Sequence, residues 1–135
     1  MSSLNSINDA YKLFMKKNIE LGILHCISSY PNNEENSFLS NIRILKQKFK
    51  STIGLSDHTT GIKTSLYSYI LGAKIIEKHF KISLNHKCVD SSVSIVPEQM
   101  IELINQIDHF NKINGKPKFG IRPNEKVAKN FRRKK

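Results

Sequence analysis

The sequence has few cysteines, no long apolar run and no leader-like start, and each absence narrows the class of protein. The two cysteines, Cys26 and Cys88, provide neither a disulfide framework nor a paired metal-binding motif. No apolar stretch approaches the ~18 residues that a membrane span requires. Residues 1–5 lack the basic and apolar segments of a signal peptide. We therefore expect a cytoplasmic protein with reduced thiols and no membrane partner.

Acidic residues are also scarce, with 11 Asp and Glu against 22 Lys and Arg, but the net charge of +11 is unevenly distributed. Ten of the basic residues lie in 112–135, where Glu125 is the single acidic residue, so this segment carries +9. The remainder of the chain is nearly neutral. The basicity is thus predicted to belong to a carboxyl-terminal tail and not to a binding face of the folded part.

The chain of 135 residues allows one ordinary domain and excludes a complete eight-stranded α/β barrel, which needs about 250 residues. Hydrophobic residues make up 39% of the chain and charged residues 24%, a balance typical of globular proteins. A chain of this size hides roughly two-thirds of the surface that it exposes when unfolded, so we expect a sizeable core.

Helical and strand patterns alternate along the chain. Four segments carry apolar residues at helical spacing, and three are short apolar runs of strand length. The predicted helices cover 3–18, 38–49, 65–71 and 97–113, and the predicted strands cover 21–28, 52–55 and 73–80. This order is typical of β-α-β units and predicts an α/β fold with a parallel sheet, whose ligands collect at the carboxyl ends of the strands.

Polar residues cluster where each predicted strand ends, at 28–30, 56–58 and 77–79. His58 and His79 are 21 residues apart, which suits one strand–helix–strand repeat. The two side chains are therefore expected side by side at the ends of neighbouring strands. Neutral imidazoles bind divalent metals well, although two ligands form only part of a shell. The residues by themselves predict an α/β domain with a metal or phosphate site.

Structural roles compete with this interpretation. A histidine at a strand end is often a hydrogen-bonded structural residue. Ser56 and Thr59 are also suited to cap the following helix. Asp57 is suited either to orient His58 or to take part in the same cap. The Tyr-Pro dipeptide after the first strand is compatible with a simple loop.

Four segments form motifs that occur together in one known family. They are LHCISSYP at 24–31, GLSDHT at 54–59, IIEKHF at 75–80, and VDSSVS at 89–94 followed by Pro97 and Glu98. In order and spacing they resemble the motifs of the sialic acid synthase family, which comprises N-acetylneuraminate, legionaminate and pseudaminate synthases. The resemblance extends from about Leu4 to Arg133.

This resemblance implies a fold and a reaction. The fold is a TIM (β/α)8 barrel, which in the family is followed by a small antifreeze-like domain. The enzyme is a C–C bond-forming transferase that condenses phosphoenolpyruvate with an N-acetylated amino sugar and releases phosphate. The implied cofactor is a divalent metal, Mn²⁺ or Mg²⁺, which polarises the aldehyde of the open-chain sugar as a Lewis acid.

The motif positions also imply roles for single residues. The metal ligands are His58 and His79, the substrate-binding residues are Ser28, Tyr30, Ser56 and Asp90, and the catalytic residue is Glu77. Ser28 and Ser56 are expected to contact phosphoenolpyruvate, and Tyr30 and Asp90 to lie near the sugar. Glu77 shares the strand face of the second histidine and is expected to support the metal site.

The chain matches only part of the family's barrel. Its three strands resemble strands six to eight, so we predict a partial barrel over 1–113 and a basic linker over 114–135, with the antifreeze-like domain absent. The isolated chain is expected to be inactive without the missing half, where the family has the lysines that hold phosphoenolpyruvate. A complementing amino-terminal chain or a homo-oligomer is expected to cover the open sheet edge. Ser91 stands where neuraminate-type members often have His, which favours a legionaminate-like or other nonulosonate branch without identifying the sugar.

Two other functions remain open. The chain is alternatively a non-catalytic remnant or interaction fragment of such an enzyme. A nucleic-acid binder that acts through the basic tail is the less favoured alternative, because no aromatic and basic residues interleave as in RNA-binding modules. A neighbouring reading frame for the missing strands would favour a split enzyme.

Overall fold

Three parallel strands alternate along the chain with four helices in a computed structural model that describes residues 1–132. The strands are β1 (Gly22–Cys26), β2 (Thr52–Asp57) and β3 (Ile75–Lys78), in the spatial order β1-β2-β3. The helices are α1 (Leu4–Lys16), α2 (Ser40–Lys48), α3 (Lys63–Ile70) and α4 (Pro97–Asn114), and short 3₁₀ turns cover 34–36, 123–125 and 128–131. The α/β fold with a parallel sheet is therefore confirmed. Three residues of the predicted linker, 133–135, lie outside the described part.

The strand boundaries differ from the predicted ones for a reason of pairing. The central strand, β2, is paired on both sides and continues to Asp57, beyond the predicted end. The outer strands stop earlier than predicted, at Cys26 and Lys78. After β3 the chain leaves β2 and pairs with a later segment, because Ile95 donates its amide to the His79 carbonyl and the Lys81 amide donates to the Ile95 carbonyl.

Two apolar clusters hold the helices against the sheet. The first joins Ile42, Leu45 and Phe49 to Ile53 of β2 and to Ala73, and all five are buried. The second consists of Ile62, Ile95 and Leu103. Burial of a large aliphatic side chain contributes about 1.5–3 kcal/mol, so these clusters position the strand ends that carry the polar residues.

Gly54 allows the strands to pack closely below the polar edge. It is paired in register with Leu24 on β1 and with Ile75 on β3. A Cβ at position 54 would collide with the Leu24 side chain and lie 2.7 Å from the Ile75 Cβ. A larger residue at this position would therefore push the outer strands away from β2.

Apolar side chains remain exposed on the outer helices and strands of the described structure. Three isoleucines of α4 are each more than half exposed: Ile101, Ile104 and Ile113. Ile75 on β3 is also exposed, and within residues 1–132 β1 and β3 each pair with one strand only. In the same part of the chain, no helix has both the length and the apolar character needed to cross a bilayer.

Candidate functional site

The carboxyl ends of the three strands bring the predicted polar residues to one edge of the sheet. Cys26 pairs in register with Ser56, and Ser56 pairs with Glu77. Residues opposite each other in register point to the same face, so these three side chains form one row across the sheet. His58 and His79 follow two residues after Ser56 and Glu77, immediately beyond the ends of β2 and β3, and their ring centroids are 5.2 Å apart.

His58 is buried and its orientation is fixed by a backbone carbonyl. Its Nδ1 lies 3.0 Å from the Ile27 carbonyl oxygen. Because a carbonyl can only accept, Nδ1 carries the proton and donates it, which leaves the lone pair of the neutral ring on Nε2. Metal-ligating histidines commonly hold their second ring nitrogen in this way.

His79 has a carboxylate as its corresponding neighbour. The Asp90 Oδ2 lies 3.5 Å from Nδ1 of His79, and both side chains are partly exposed. The carboxylate attracts a protonated Nδ1, so the free lone pair is again favoured on Nε2. The structure thus brings Asp90, which was predicted to lie near the sugar, to the second imidazole.

Tyr30 lies against both imidazoles. Its ring centroid is 4.0 Å from that of His58 and 5.6 Å from that of His79, edge-on in the second case. The loop that carries Tyr30 follows β1 and is anchored by the Asn32 amide, which donates to the His58 carbonyl at 2.8 Å. The ring is half exposed, so it borders the histidine pair on the open side. The Tyr-Pro dipeptide therefore places an aromatic side chain at the site.

The remaining predicted residues flank this group. Ser56 donates a hydrogen bond of 2.6 Å from its hydroxyl to Glu77 Oε1. Ser28 is exposed, and its hydroxyl lies 3.9 Å from the Cys26 thiol, which is itself 3.9 Å from Nδ1 of His58. All seven predicted site residues thus lie at or beside the carboxyl edge of the sheet.

The structure does not support the helix-capping role considered for the polar residues at the end of β2. The interpretation that Ser56 and Thr59 cap α3 is wrong, because Ile62 occupies the N-cap and no side chain caps it. Asp57 does not orient His58 through a direct contact with its imidazole. Its carboxylate instead accepts hydrogen bonds from the backbone amide and hydroxyl of Thr59, both at 2.8 Å, and from Ser65 at 2.6 Å.

Lys78 is a buried residue of the site region that the sequence analysis did not assign. Its ammonium lies 3.2 Å from Asp57 Oδ2, and both side chains are only 1% exposed. Burial lowers the pKa of Lys78 below its ordinary value, against the opposing attraction of Asp57. A signal was present in the sequence, because Asp57 and Lys78 are separated by the same 21 residues as the histidines that follow them.

The two imidazoles could form part of the coordination shell of a metal ion. Within residues 1–132, no three His, Cys, Asp or Glu side chains converge closely enough to hold a metal ion on their own. The histidine pair nevertheless presents two imidazoles whose Nδ1 atoms both face oxygen atoms. Two imidazoles with further positions left for water or substrate suit a divalent ion that acts as a Lewis acid.

The family model of the NeuB family matches residues 1–119. The chain belongs to the NeuB family. The resemblance inferred from the four sequence motifs is therefore confirmed. Among curated NeuB relatives, the N,N'-diacetyllegionaminic acid synthase of Campylobacter jejuni is 36% identical over 118 residues, which cover 85% of this chain and 35% of that protein. The N-acetylneuraminate-9-phosphate synthase of Mus musculus is 30% identical and is matched over 96% of this chain and 38% of its own length.

Two solved structures share the fold of this chain. The N-acetylneuraminic acid synthetase of Leptospira borgpetersenii superposes with a TM-score of 0.86 at 34% identity, over 97% of this chain and 46% of that one. The spore coat polysaccharide biosynthesis protein SpsE of Bacillus subtilis superposes with a TM-score of 0.76 at 31% identity, over 80% of this chain and 31% of that one. The chain thus spans about a third of the length of the curated relatives that it matches.

Proposed function

We propose that this chain forms the metal-binding part of a nonulosonate synthase that condenses phosphoenolpyruvate with an N-acetylated amino sugar. The observation that carries the proposal is the pair His58 and His79, held side by side at neighbouring strand ends with Nδ1 of each directed to an oxygen atom. Their Nε2 atoms would hold Mn²⁺ or Mg²⁺. The bound ion would supply Lewis-acid polarisation of the sugar aldehyde.

The neighbouring residues suit the two substrates. In the reaction C3 of phosphoenolpyruvate bonds to the aldehyde carbon, water adds at C2, and phosphate leaves with its bridging oxygen. Ser28 offers its hydroxyl proton to an oxygen of phosphoenolpyruvate, and Ser56 would offer its own by turning it from Glu77 to the substrate. Glu77 accepts the Ser56 proton at 2.6 Å, so it sets the direction of that hydroxyl and is an acceptor for a proton released nearby.

Tyr30 and Asp90 border the side of the site that is open to the larger substrate. Tyr30 is 51% exposed, so about half of its surface is accessible next to the histidines. An apolar ring face of this kind packs against the C–H groups of a sugar. Asp90 is partly exposed and has acceptor capacity for a sugar hydroxyl besides its contact with His79.

We further propose that the sheet is strands six to eight of an eight-stranded barrel and that the isolated chain is inactive. Two observations support this: the sheet has an open edge on either side, and apolar residues of α4 and β3 are exposed. An amino-terminal half-barrel or a second copy of the chain would cover these surfaces. Residues 114–135 then form a basic linker after the barrel segment. A cytoplasmic location agrees with the two free cysteines.

The test is a complementation assay. The full chain is mixed with the amino-terminal part of the C. jejuni relative that precedes the matched region, together with Mn²⁺, phosphoenolpyruvate and an N-acetylated amino sugar. We expect phosphate release that falls at least about 100-fold in His58→Ala and in His79→Ala, because each removes a ligand. His86→Ala changes an exposed histidine that lies outside the apolar surface of α4, and it serves as the matched control. Equal release from the His58→Ala/His79→Ala double variant would refute the proposal.

The alternative function is a non-catalytic remnant or interaction fragment, and the same open edges and exposed apolar residues favour it. The two functions differ in what the histidine pair does. A remnant would associate with the complementing half without restoring phosphate release, and its association would be unaffected by His58→Ala. Co-sedimentation of the mixture, measured beside the phosphate assay, separates the two.

A further inference from the structure

The ion pair of Asp57 and Lys78 lies directly behind the histidine pair. Asp57 is the last residue of β2 and precedes His58, and Lys78 is the last residue of β3 and precedes His79. The two charged residues are paired in register. Successive side chains of a strand point to opposite faces, so the ion pair lies on the helix side of the sheet while the imidazoles lie on the other. One bridge therefore joins the two backbones that carry the histidines.

The bridge includes the backbone beyond β2. Asp57 accepts from Lys78, from Ser65 at the start of α3, and twice from Thr59. The Lys78 ammonium also donates to the Thr59 carbonyl. Residues on both sides of His58 are thus fixed to the residue before His79.

Stability alone gives a poor reason for this arrangement. Both side chains are 1% exposed, and removing two charges from water carries a large desolvation cost that their attraction must offset. Apolar residues of similar volume often replace such pairs without loss of stability. What they cannot replace is the directional link between the two strand ends.

We propose that Asp57 and Lys78 are positioning residues that fix the separation and orientation of the His58 and His79 imidazoles. The pair touches neither ring and acts through the backbone to which both rings are attached. Its functional consequence, tight metal binding, rests on the proposed function. The geometric statement is independent of it and has its own measurement.

The test uses the full chain with ¹⁵N-labelled histidine and a neutral double variant, Asp57→Asn/Lys78→Met, which leaves no unpaired buried charge. Two NMR readouts report the geometry: protection of the His58 Nδ1 proton, which is bonded to Ile27, and nuclear Overhauser contacts between the His58 and Tyr30 rings. Mn²⁺ titration followed by electron paramagnetic resonance reports the metal. Lys74→Met is the matched control, because this lysine is exposed, precedes β3 at its opposite end and lies over the Tyr69 ring.

We expect the double variant to remain folded, with the His58 Nδ1 proton exchanging at least about tenfold faster and the ring contacts weakened. The Kd for Mn²⁺ should rise about 10- to 100-fold, as for other residues that support metal ligands. Lys74→Met should match the wild-type chain in the NMR readouts and in the Kd for Mn²⁺. Unchanged Nδ1 protection and unchanged ring contacts in a folded double variant would overturn the inference.

Two further results would also bear on the positioning role of the ion pair. If the double variant does not fold, Ser65→Ala removes one of the Asp57 hydrogen bonds and should shift the same NMR readouts in the same direction but less. No shift in Ser65→Ala would then count against the inference. If the wild-type chain shows the ring contacts but binds no Mn²⁺, the proposed metal site fails, and the NMR readouts alone decide the positioning role.

Discussion

Lys78 is a buried amine, and its environment gives the protein a definite dependence on alkaline pH. Burial lowers its pKa in the folded state, whereas the unfolded chain keeps the ordinary value of 10.5. Between the lowered pKa and 10.5, the unfolded state binds more protons than the folded state. The free energy of unfolding contributed by this group therefore rises with pH across that window. Below the folded-state pKa both states are protonated, and the full cost of the buried charge is present.

The prediction concerns the slope of the free energy of unfolding against pH. In Lys78→Met the contribution of this group is lost, so the wild-type slope at alkaline pH below 10.5 should be the more positive of the two. Urea unfolding measured at several pH values gives both slopes. Lys74→Met, which removes a lysine from the surface, should keep the wild-type slope. A steeper positive slope in Lys78→Met than in the wild-type chain would contradict the assignment.

The sequence predicted the histidine pair but not the ion pair behind it. The spacing of 21 residues placed His58 and His79 on neighbouring strand ends, and the structure has them there. The same spacing relates Asp57 to Lys78, yet the alternation of side chains sends them to the face covered by helices, where charged residues are not expected. Only the packing of α3, through Ser65, shows that this location is polar.

At the level of elements, α2 provides a direct comparison between buried and exposed isoleucines. Ile42 is fully buried against β2, whereas Ile44, two residues later on the same helix, is 46% exposed. Ile42→Ala should lower the free energy of unfolding by about 2–5 kcal/mol, because it loses transfer energy and leaves a cavity. Ile44→Ala carries the same chemical change and should cost less than about 1 kcal/mol. Urea denaturation measures both, and similar losses in the two variants would mean that α2 packs differently.

The helices were predicted more accurately than the strand ends. Apolar residues at a spacing of three and four identified α2 and α4 to within a few residues, because this pattern depends on the local helix alone. A strand ends where its partner ends, and the partner of the segment after β3 is near Ile95, far along the chain. α1 shows the same limit: its pattern is amphipathic, but it buries no residue fully within the described structure. The apolar periodicity of a helix predicts which of its faces is apolar, but it does not predict which element covers that face.

At the scale of the whole molecule, the three strands end on open edges and the helices carry an uncovered apolar groove. The groove is bordered by apolar residues of two helices: Leu66 and Ile70 of α3, and Ile101, Phe110 and Ile113 of α4. Exposed contiguous apolar surface beside an unpaired strand favours association. Composition could not reveal this surface, because 39% hydrophobic residues is ordinary for a globular chain.

The final prediction is that the purified chain self-associates through the groove when no complementing half is present. Sedimentation velocity should show an average mass that rises with concentration. Ile101→Lys/Ile113→Lys places two charges on residues that are 58% and 68% exposed, so it should shift the chain toward monomer with little loss of stability. Val127→Lys makes the same kind of change at a residue that is 73% exposed and outside the groove, and it should associate as the wild-type chain does. A wild-type chain that stays monomeric at about 100 μM and unfolds cooperatively would show that the groove needs no cover.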